Sequence, residues 1–289
     1  VCGELTKYTK ITKALVIGKT RVQDCINDLR KQPQVIIGTP GRILDMINRN
    51  ELFTSTIKII VCDEADDILS LGFIDTISAI FKCIPPTSQV CLFSATIPLE
   101  VQDMSEKFMN NPEKILIKKE ELTLDGIKQF HVMLKNYNWK YDVLMDLYDT
   151  LNITQSIIYV NSKKTLRYLY EKLVEQKFPV SHIHGEMDSK DRSNNMNDFK
   201  SGKTRIMLST DLLARGIDIQ QLSLVINFDL PNMKETYIHR IGRSGRYGRK
   251  GVAINLVVEN EIQELKELEE HYDIKIPEMP ENIKDYLSV

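Results

Sequence analysis

Short, continuous runs of apolar residues recur along the chain, and each ends at a glycine, a hydroxyl residue, an asparagine or an aspartate. The runs are residues 14–17, 35–37, 57–62 and 90–93 in the first half and 157–160, 206–208 and 225–226 in the second, and residues 252–258 are predicted as a last strand. A run that is apolar throughout is typical of a strand buried on both faces, as in a parallel sheet covered by helices. The pattern therefore predicts two successive series of parallel strands.

Helical patterns lie between these runs. Residues 164–176 and 188–200 repeat apolar positions near every 3.6 residues, with charges on the opposite face, and Gly202 marks the expected end of the second helix. An acidic helix is predicted over 259–271, and the tail with Pro277 and Pro280 is expected to pack loosely. Strands and helices that alternate in this way indicate an α/β fold.

A charged stretch with no strand pattern divides the two series. It covers residues 119–126, so the expected domains are 1–118 and 127–289, with 119–126 as the linker. A chain of 289 residues with 42% hydrophobic content is long enough for two such cores.

Composition narrows the class of protein. A formal net charge of −2 and a pI near 6.3 argue against indiscriminate binding of polyanions, although a local basic groove can operate on a near-neutral chain. Five cysteines without metal-ligand spacing predict reduced thiols, as in a cytoplasmic or nuclear protein. No apolar stretch has the length of a membrane span, and no signal pattern opens the chain.

Two acidic residues follow directly after one of the apolar runs. Asp63-Glu64-Ala65-Asp66 begins where a buried strand over 57–62 would end, and ligands of α/β folds bind outside the carboxyl ends of strands. One carboxylate there suits a hydrated Mg²⁺ ion, and its neighbour suits the orientation of an attacking water. An acidic surface loop is the alternative that this segment alone leaves open.

A second motif supplies cationic groups at regular spacing. It is His239-Arg240-Ile241-Gly242-Arg243-Ser244-Gly245-Arg246. Guanidinium groups in such a series can neutralise the charge that develops on a γ-phosphate during phosphoryl transfer. A surface arginine cluster that makes ordinary salt bridges is the alternative reading of this motif by itself.

Both motifs belong to a longer ordered series. The series comprises residues 39–42, 63–66, 94–96, 118–126, 209–218 and 239–246. On these motifs the chain resembles the DEAD-box RNA helicases and, within them, the eukaryotic translation initiation factor 4A subfamily. The resemblance covers nearly the whole chain. It implies an α/β fold of two RecA-like parallel-sheet domains in tandem, the first N-terminally truncated, and the activity of an ATP-dependent RNA helicase.

The resemblance also implies the residues that hydrolyse ATP. Asp63 is expected to contact Mg²⁺ through water, and Glu64 to orient and deprotonate the attacking water. Arg243 and Arg246 are the expected arginine fingers. All four are also expected to contact the nucleotide.

Further nucleotide contacts are expected from Gly216 and Asp218, the latter at the ribose. The residues expected to couple the nucleotide site to the RNA site are Asp66, Ser94, Thr96 and His239. In this arrangement His239 hydrogen-bonds toward Asp66 or the Ser94–Thr96 pair. His131, by contrast, is expected to be structural.

An RNA path is implied along the ends of several strands. The residues expected to line it are Gly18, Thr39, Pro40, Gly41, Arg42, Asn161, His184, Gly185, Arg192, Gly202, Thr210 and Gly216. Small and hydroxyl residues at strand ends and helix starts present backbone amides to phosphates. The implied binding is therefore independent of base sequence, with RNA preferred over DNA through its 2′-OH groups. Lys19 and Ser189 stand where the family has Gly and Gln, so contacts from these two positions are in doubt.

One element of the family is missing from the 289 residues. They contain no phosphate-binding loop of the G-x-G-K-[ST] form, and the chain begins with Val1. Aligned on the motifs, it is expected to start partway through the first domain, and alone it is expected to lack ATPase activity. Two alternatives stay open: an RNA-binding or scaffold-binding module without ATPase activity, and a DNA translocase, which the RNA-type motifs disfavour.

The resemblance implies cofactors and partners as well. ATP and Mg²⁺ are the expected cofactors. Single-stranded or duplex RNA and a helical-repeat scaffold of the initiation factor 4G type are the expected partners. A monomer without membrane association is expected.

Overall fold

The computed structural model describes residues 2–18, 20–97, 99–116, 126–151, 153–211, 222–244 and 251–287. They belong to two compact units, Val1–Lys114 and Ile115–Val289, called here the N-terminal and the C-terminal unit. Each unit alternates parallel strands with helices, as the hydrophobic pattern predicts.

The N-terminal unit contains two separate pairs of parallel strands, β1 with β2 and β3 with β4. Its elements are α1 (Cys2–Leu5), β1 (Lys13–Val16), α2 (Val22–Leu29), β2 (Val35–Gly38), α3 (Pro40–Asn48), β3 (Ile59–Cys62), α4 (Ala65–Ser70), α5 (Ile74–Lys82), β4 (Gln89–Leu92) and α6 (Leu99–Phe108). The register pairs Val16 with Gly38 and Cys62 with Leu92, so each pair ends its two strands at the same edge.

Only one face of these strands is covered. Val16 and Cys62 are buried, whereas Leu15, Ile59 and Val61 on the opposite face are 51%, 57% and 56% exposed. No described element packs against that second face, so these apolar strands are covered on one face only. Exposed apolar strands carry a free-energy cost that the remaining core must offset.

Gly38 is required by a close approach at the end of β2. A Cβ atom there would lie 2.5 Å from the Val16 carbonyl oxygen and 2.6 Å from Ile43 Cδ1. Glycine is the residue that lets the start of α3 pack this tightly against β1.

The C-terminal unit is built on one six-stranded parallel sheet in the order β5-β10-β9-β6-β8-β7. Its elements are β5 (Ile127–Leu134), α7 (Trp139–Thr150), β6 (Ser156–Tyr159), α8 (Lys163–Glu175), β7 (Val180–Ile183), α9 (Ser189–Lys200), β8 (Ile206–Ser209), β9 (Leu224–Asn227), α10 (Lys234–Ile241), β10 (Gly251–Val258), a 3₁₀ turn (Glu259–Glu261), α11 (Ile262–Tyr272) and α12 (Lys284–Leu287).

Helices cover both faces of this sheet. Every residue of β6, β8, β9 and β10 is buried. Ile158 packs in the cluster that contains Leu169 of α8, whereas its neighbour Ile157 packs in the cluster that contains Phe199 of α9. Burial on both faces, predicted from the fully apolar runs, is confirmed in this unit. Gly202 follows α9 at φ +77°, as expected of a helix stop.

The tail of the chain adds to the outer edge of the sheet. The His131 N–H donates to the Pro277 carbonyl at 2.9 Å, and the Met279 N–H donates to the His131 carbonyl at 2.8 Å. Ile276 and Ile283 are buried. The expectation of a loosely packed tail is wrong, because the edge strand β5 offers unpaired backbone groups that this segment satisfies. His131 has a structural role: its Nδ1 lies 2.7 Å from the Ile276 carbonyl.

All five cysteines are unpaired thiols. Burial raises the pKa of the Cys62 thiol to about 11, so this group is neutral beside the acidic residues that follow it. Among the described residues, no helix is both long enough and apolar enough to span a bilayer.

A buried lysine joins the start of α7 to the ends of β9 and β10. Lys140 Nζ donates to the Phe228 carbonyl at 2.8 Å and to Glu261 Oε2 at 2.9 Å. Asp229 Oδ1 lies 3.9 Å from the same nitrogen, which sits 4.9 Å from the centroid of the Tyr137 ring. Removing one member of a buried ion pair leaves the charge of its partner uncompensated.

Lys140→Met is therefore expected to lower the free energy of unfolding of the C-terminal unit by about 3 kcal/mol. Urea denaturation of the purified chain measures this loss. The matched control is Lys164→Met, which alters an exposed lysine of α8 and is expected to change stability by less than about 0.5 kcal/mol. Equal losses in the two variants would contradict the importance of the Lys140 ion pair.

The two units are expected to differ in resistance to proteases. Limited proteolysis of the whole chain should leave a fragment that begins close to Ile127, because both faces of its sheet are covered. The N-terminal unit should be degraded, since its sheets expose Leu15, Ile59 and Val61. Mass spectrometry of the digest identifies the fragments. Equal survival of both units would show that the exposed face does not weaken the N-terminal unit.

Candidate functional site

The acidic motif of the N-terminal unit starts where β3 ends. Asp63 is exposed, and its Oδ1 accepts a hydrogen bond from the Glu64 N–H at 3.1 Å. Glu64 adopts φ 53° and ψ 52°, a left-handed backbone conformation, immediately before α4. Such a conformation costs a non-glycine residue about 1–3 kcal/mol, and residues strained in this way cluster at functional sites. Both side chains are thus held at the carboxyl end of a parallel strand.

A buried carboxylate joins this motif to the segment that follows β4. Asp66 Oδ2 accepts a 2.6 Å hydrogen bond from Thr96 Oγ1 and a 3.3 Å bond from the Thr96 N–H. The Asp66 N–H donates to Ser94 Oγ at 3.1 Å. Within the N-terminal unit, the structure therefore brings together the predicted coupling residues Asp66, Ser94 and Thr96. A buried carboxylate needs this many donors, because its charge is otherwise costly to remove from water.

The second strand pair carries the predicted RNA residues of this unit. The Gly18 N–H donates to Thr39 Oγ1 at 3.3 Å, so the segments after β1 and β2 meet at one edge. Thr39 stands immediately before α3, and Pro40 is its first residue, a position that tolerates proline because no helical N–H partner is lost. Gly41 follows within the first turn of the helix.

Arg42 faces inward from α3. Its guanidinium Nη1 and Nη2 each donate to the Thr20 carbonyl at 3.2 Å, and Nη1 lies 3.4 Å from Cys25 Sγ. Only 13% of the side chain is exposed. The sequence predicted this arginine as an RNA ligand, whereas its observed contacts hold the loop between β1 and α2. Thr20 and Cys25 were not predicted, since neither belongs to a motif.

The C-terminal unit gathers three predicted RNA residues at one edge of its sheet. Asn161, His184 and Thr210 follow β6, β7 and β8, which are neighbours in the sheet. Gly185 follows His184, and Asp229 follows β9 on the other side of β6. The carboxyl ends of parallel strands meet at a single edge, which explains the grouping.

Arg192 of α9 contacts this edge through the loop after β7. Its Nη2 donates to the carbonyls of Gly185 and Met187 at 3.2 and 3.1 Å. Arg192 Nε and His184 Nδ1 are buried, and neither has a hydrogen-bond partner within the described part of the chain. Burial and the nearby His184 lower the pKa of His182, which is therefore neutral near pH 7.

Gly202 does not join these residues. It follows α9 and precedes β8, so it lies at the opposite edge of the sheet, where the amino ends of the strands meet. Gln155 Nε2, just before β6, donates there to the carbonyls of Phe199 and Thr204. The sequence indicated a glycine with positive φ, but it did not indicate the edge to which α9 returns.

Arg240 is a functional candidate that the motif analysis left without a role. It is fully buried and the largest such side chain among the described residues. Nε donates to Asp211 Oδ1 at 2.6 Å, Nη1 to the Asp229 carbonyl at 2.7 Å, and Nη2 to Asn161 Oδ1 at 2.8 Å. In the sequence, a functional role for Arg240 was indicated by its position beside His239, within a helix that precedes Gly242.

Two further motif residues lie on or just after α10. His239 is buried in its last turn, and Arg243 follows the helix, with its Nε donating to the His239 carbonyl at 3.1 Å. Gly216, Asp218, Arg246 and most of the predicted linker 119–126 lie outside the described residues.

Known protein families match both units. The DEAD/DEAH box helicase family matches residues 1–104, and the helicase conserved C-terminal domain matches residues 139–248. Eukaryotic initiation factor 4A of Caenorhabditis elegans is 51% identical over 287 residues, which are 99% of this chain and 71% of that protein. The chain belongs to the DEAD-box family of ATP-dependent RNA helicases.

Other members of the DEAD-box family agree with this assignment. The ATP-dependent RNA helicase FAL1 of Scheffersomyces stipitis is 47% identical over 287 residues, covering 99% of this chain and 72% of that protein. The structure of S. cerevisiae Dbp5 bound to RNA and ADP BeF3 is similar with a TM-score of 0.87 and 37% identity, covering 98% of this chain and 74% of that one. The predicted α/β fold with RecA-like parallel sheets is confirmed.

Proposed function

We propose that this DEAD-box protein is an RNA-stimulated ATPase that clamps and bends one RNA strand and so unwinds short duplexes. The observation that carries the proposal is the geometry after β3. Glu64 is held in a left-handed conformation beside the exposed Asp63, and the buried Asp66 links this motif to Thr96. The left-handed backbone of Glu64 is strained, and the Asp66 carboxylate is buried away from water. These two features support a catalytic rather than a purely structural role for the segment.

The acidic pair suits hydrolysis of ATP with Mg²⁺. Carboxylate oxygens are the protein ligands that Mg²⁺ prefers, and it commonly keeps several waters, so the exposed Asp63 fits a water-mediated contact. When bound, Mg²⁺ would neutralise part of the negative charge on the phosphates. Glu64 orients the attacking water and accepts its proton. Arg243 and Arg246 stabilise the charge on the transferred phosphoryl group, and Gly216 and Asp218 hold the nucleotide, Asp218 at the ribose.

The coupling residues connect nucleotide and RNA binding. Asp66, Ser94 and Thr96 form a bonded cluster after β3 and β4, and His239 is proposed to complete it. ATP and RNA then bind cooperatively, because each ligand offsets part of the cost of the closed conformation that the other requires.

RNA is proposed to lie along the carboxyl ends of the strands. Gly18, Thr39, Pro40 and Gly41 form its path in the N-terminal unit, and His184, Gly185, Arg192, Thr210 and Gly216 form it in the C-terminal unit. Arg42 contributes to this path indirectly, because it holds the loop that contains Thr20. Gly202 is not assigned to the path, because it lies at the opposite edge of the sheet. The buried, unpaired atoms of His184 and Arg192 support a ligand at this edge.

The finer assignments rest on the relatives. The similarity to initiation factor 4A supports a cytoplasmic protein, monomeric alone, that engages a helical-repeat scaffold of the initiation factor 4G type. The domains are proposed as 1–118 and 127–289, with 119–126 as the linker.

The 289-residue chain is expected to hydrolyse ATP no faster than background in the presence of RNA. A form that carries, before Val1, a family segment with the Gly-rich loop is expected to show RNA-stimulated hydrolysis. The reason is that the acids cannot replace the lysine and amides that hold the β- and γ-phosphates. Release of inorganic phosphate measures both rates. Rapid turnover by the shorter chain would refute this prediction.

In the extended form, Glu64→Gln should reduce hydrolysis by about 10²-fold or more, because the amide cannot accept a proton. ATP-dependent RNA binding should persist, since the amide keeps the shape of the side chain. Phosphate release and fluorescence anisotropy of labelled RNA measure the two properties. Glu51→Gln, which alters an acid outside the motif, is the matched control. Hydrolysis at the wild-type rate in Glu64→Gln would exclude Glu64 as the base.

A further inference from the structure

The guanidinium of Arg240 lies at the centre of a buried polar network. In addition to its bonds with Asp211, Asp229 and Asn161, its Nη1 donates to Asn227 Oδ1 at 3.2 Å. Its carbon Cζ lies 5.2 Å from the centroid of the Tyr159 ring, a distance typical of cation–π contacts. A buried charge is tolerated when it is paired and hydrogen-bonded, and Arg240 has an ionic partner in Asp211 and four hydrogen bonds in all.

The partners of Arg240 share one location. Asn161 follows β6, Asp211 lies two residues after β8, and Asn227 and Asp229 belong to the end of β9. Arg240 itself lies in the last turn of α10. One rigid, planar side chain thus connects three neighbouring strand ends to the helix that precedes Arg243. A lysine at this position could not reproduce the fork of donors.

Asn161 is bonded in a way that changes its expected role. Its Nδ2 donates to the Leu230 carbonyl at 2.6 Å and to Asn232 Oδ1 at 3.1 Å, and its Oδ1 accepts from Arg240. Its backbone N–H donates to Asp229 Oδ2 at 2.9 Å. Both side-chain donors are therefore used within the protein, so a contact from Nδ2 to a phosphate would require breaking one of these bonds.

We propose that Arg240 and Asn161 are positioning residues. Arg240 fixes the loops after β6, β8 and β9 relative to α10, and Asn161 transmits this constraint instead of binding RNA itself. The inference deepens the proposed function and rests on it, because the positioned loops include Thr210. Loss of the guanidinium leaves the buried Asn227 side chain and Asp229 carbonyl without this donor and removes the link to Asp211 and Asn161, so the loops should lose their fixed positions.

The positioning claim is tested first without RNA. In Arg240→Gln, backbone amides in peptides covering 159–165 and 209–211 should exchange hydrogen faster than in the wild type, as measured by mass spectrometry. Amides at the opposite edge of the sheet, in residues 153–156, should be unchanged. Unchanged exchange at 209–211, or uniformly faster exchange throughout the C-terminal unit, would overturn the proposal.

The functional consequence is tested by a double-mutant cycle on RNA affinity. Arg240→Gln and Asn161→Ala should each weaken binding of a fluorescein-labelled oligouridylate by about tenfold, equivalent to 1.4 kcal/mol. The double variant should bind RNA with the same affinity as the single variant that binds more weakly, because both changes break one network. Additive losses would show that Asn161 binds RNA independently and would overturn its assignment.

Two controls separate positioning from general destabilisation. Leu173→Ala creates a cavity at the far end of α8 and should reduce stability by about 2–5 kcal/mol while leaving RNA affinity within about twofold. Arg240→Lys keeps the charge but should lose nearly as much affinity as Arg240→Gln. If Leu173→Ala lost as much RNA affinity as Arg240→Gln, the proposal would be overturned. A wild-type extended form that fails to bind RNA in the presence of ATP would refute the proposed function, while hydrogen exchange would still decide the positioning role.

Discussion

Charged groups buried at the carboxyl ends of parallel strands determine how both units of this protein present their chemistry. In the N-terminal unit the buried charge is the Asp66 carboxylate, which is held by Ser94 and Thr96. In the C-terminal unit it is the Arg240 guanidinium, which Asp211 after β8 and neutral groups at the ends of β6 and β9 surround. A charge removed from water requires several hydrogen bonds at fixed geometry, and that requirement orders the loops around it.

The hydrophobic pattern predicted β1 to β4, β6 and β8 to β10, together with α8 and α9. It missed two strands that carry polar residues. In β5, Lys128, Gln129 and His131 interrupt the apolar run, and in β7 Ser181 and His182 do so. These lie at the two ends of the six-stranded sheet, where a strand has one hydrogen-bonded neighbour in the sheet. The order of strands could not be predicted, because it depends on pairing between residues distant in sequence, as between β5 and β10.

Motif positions were predictable because strand ends were predictable. The direction of individual side chains was not. Arg42 turns toward the Thr20 carbonyl and Asn161 toward the Leu230 carbonyl, and neither acceptor belongs to a motif. The coverage of the sheets also differs between the units: similar apolar runs are buried on both faces in one unit and on one face in the other. The hydrophobic pattern of the sequence indicates which residues avoid water. Which helices or strands cover those residues depends on how the elements pack in the folded protein.

The claim that RNA follows the carboxyl ends of the strands is tested most directly by photocrosslinking. Single-stranded RNA that contains 4-thiouridine is irradiated with the chain, and crosslinked peptides are mapped by mass spectrometry. Crosslinks are expected within 184–187 and 209–211, at one edge of the C-terminal sheet. Residues 153–155 and 202–204, at the opposite edge, should remain unmodified. Crosslinks concentrated at this second edge would contradict the account.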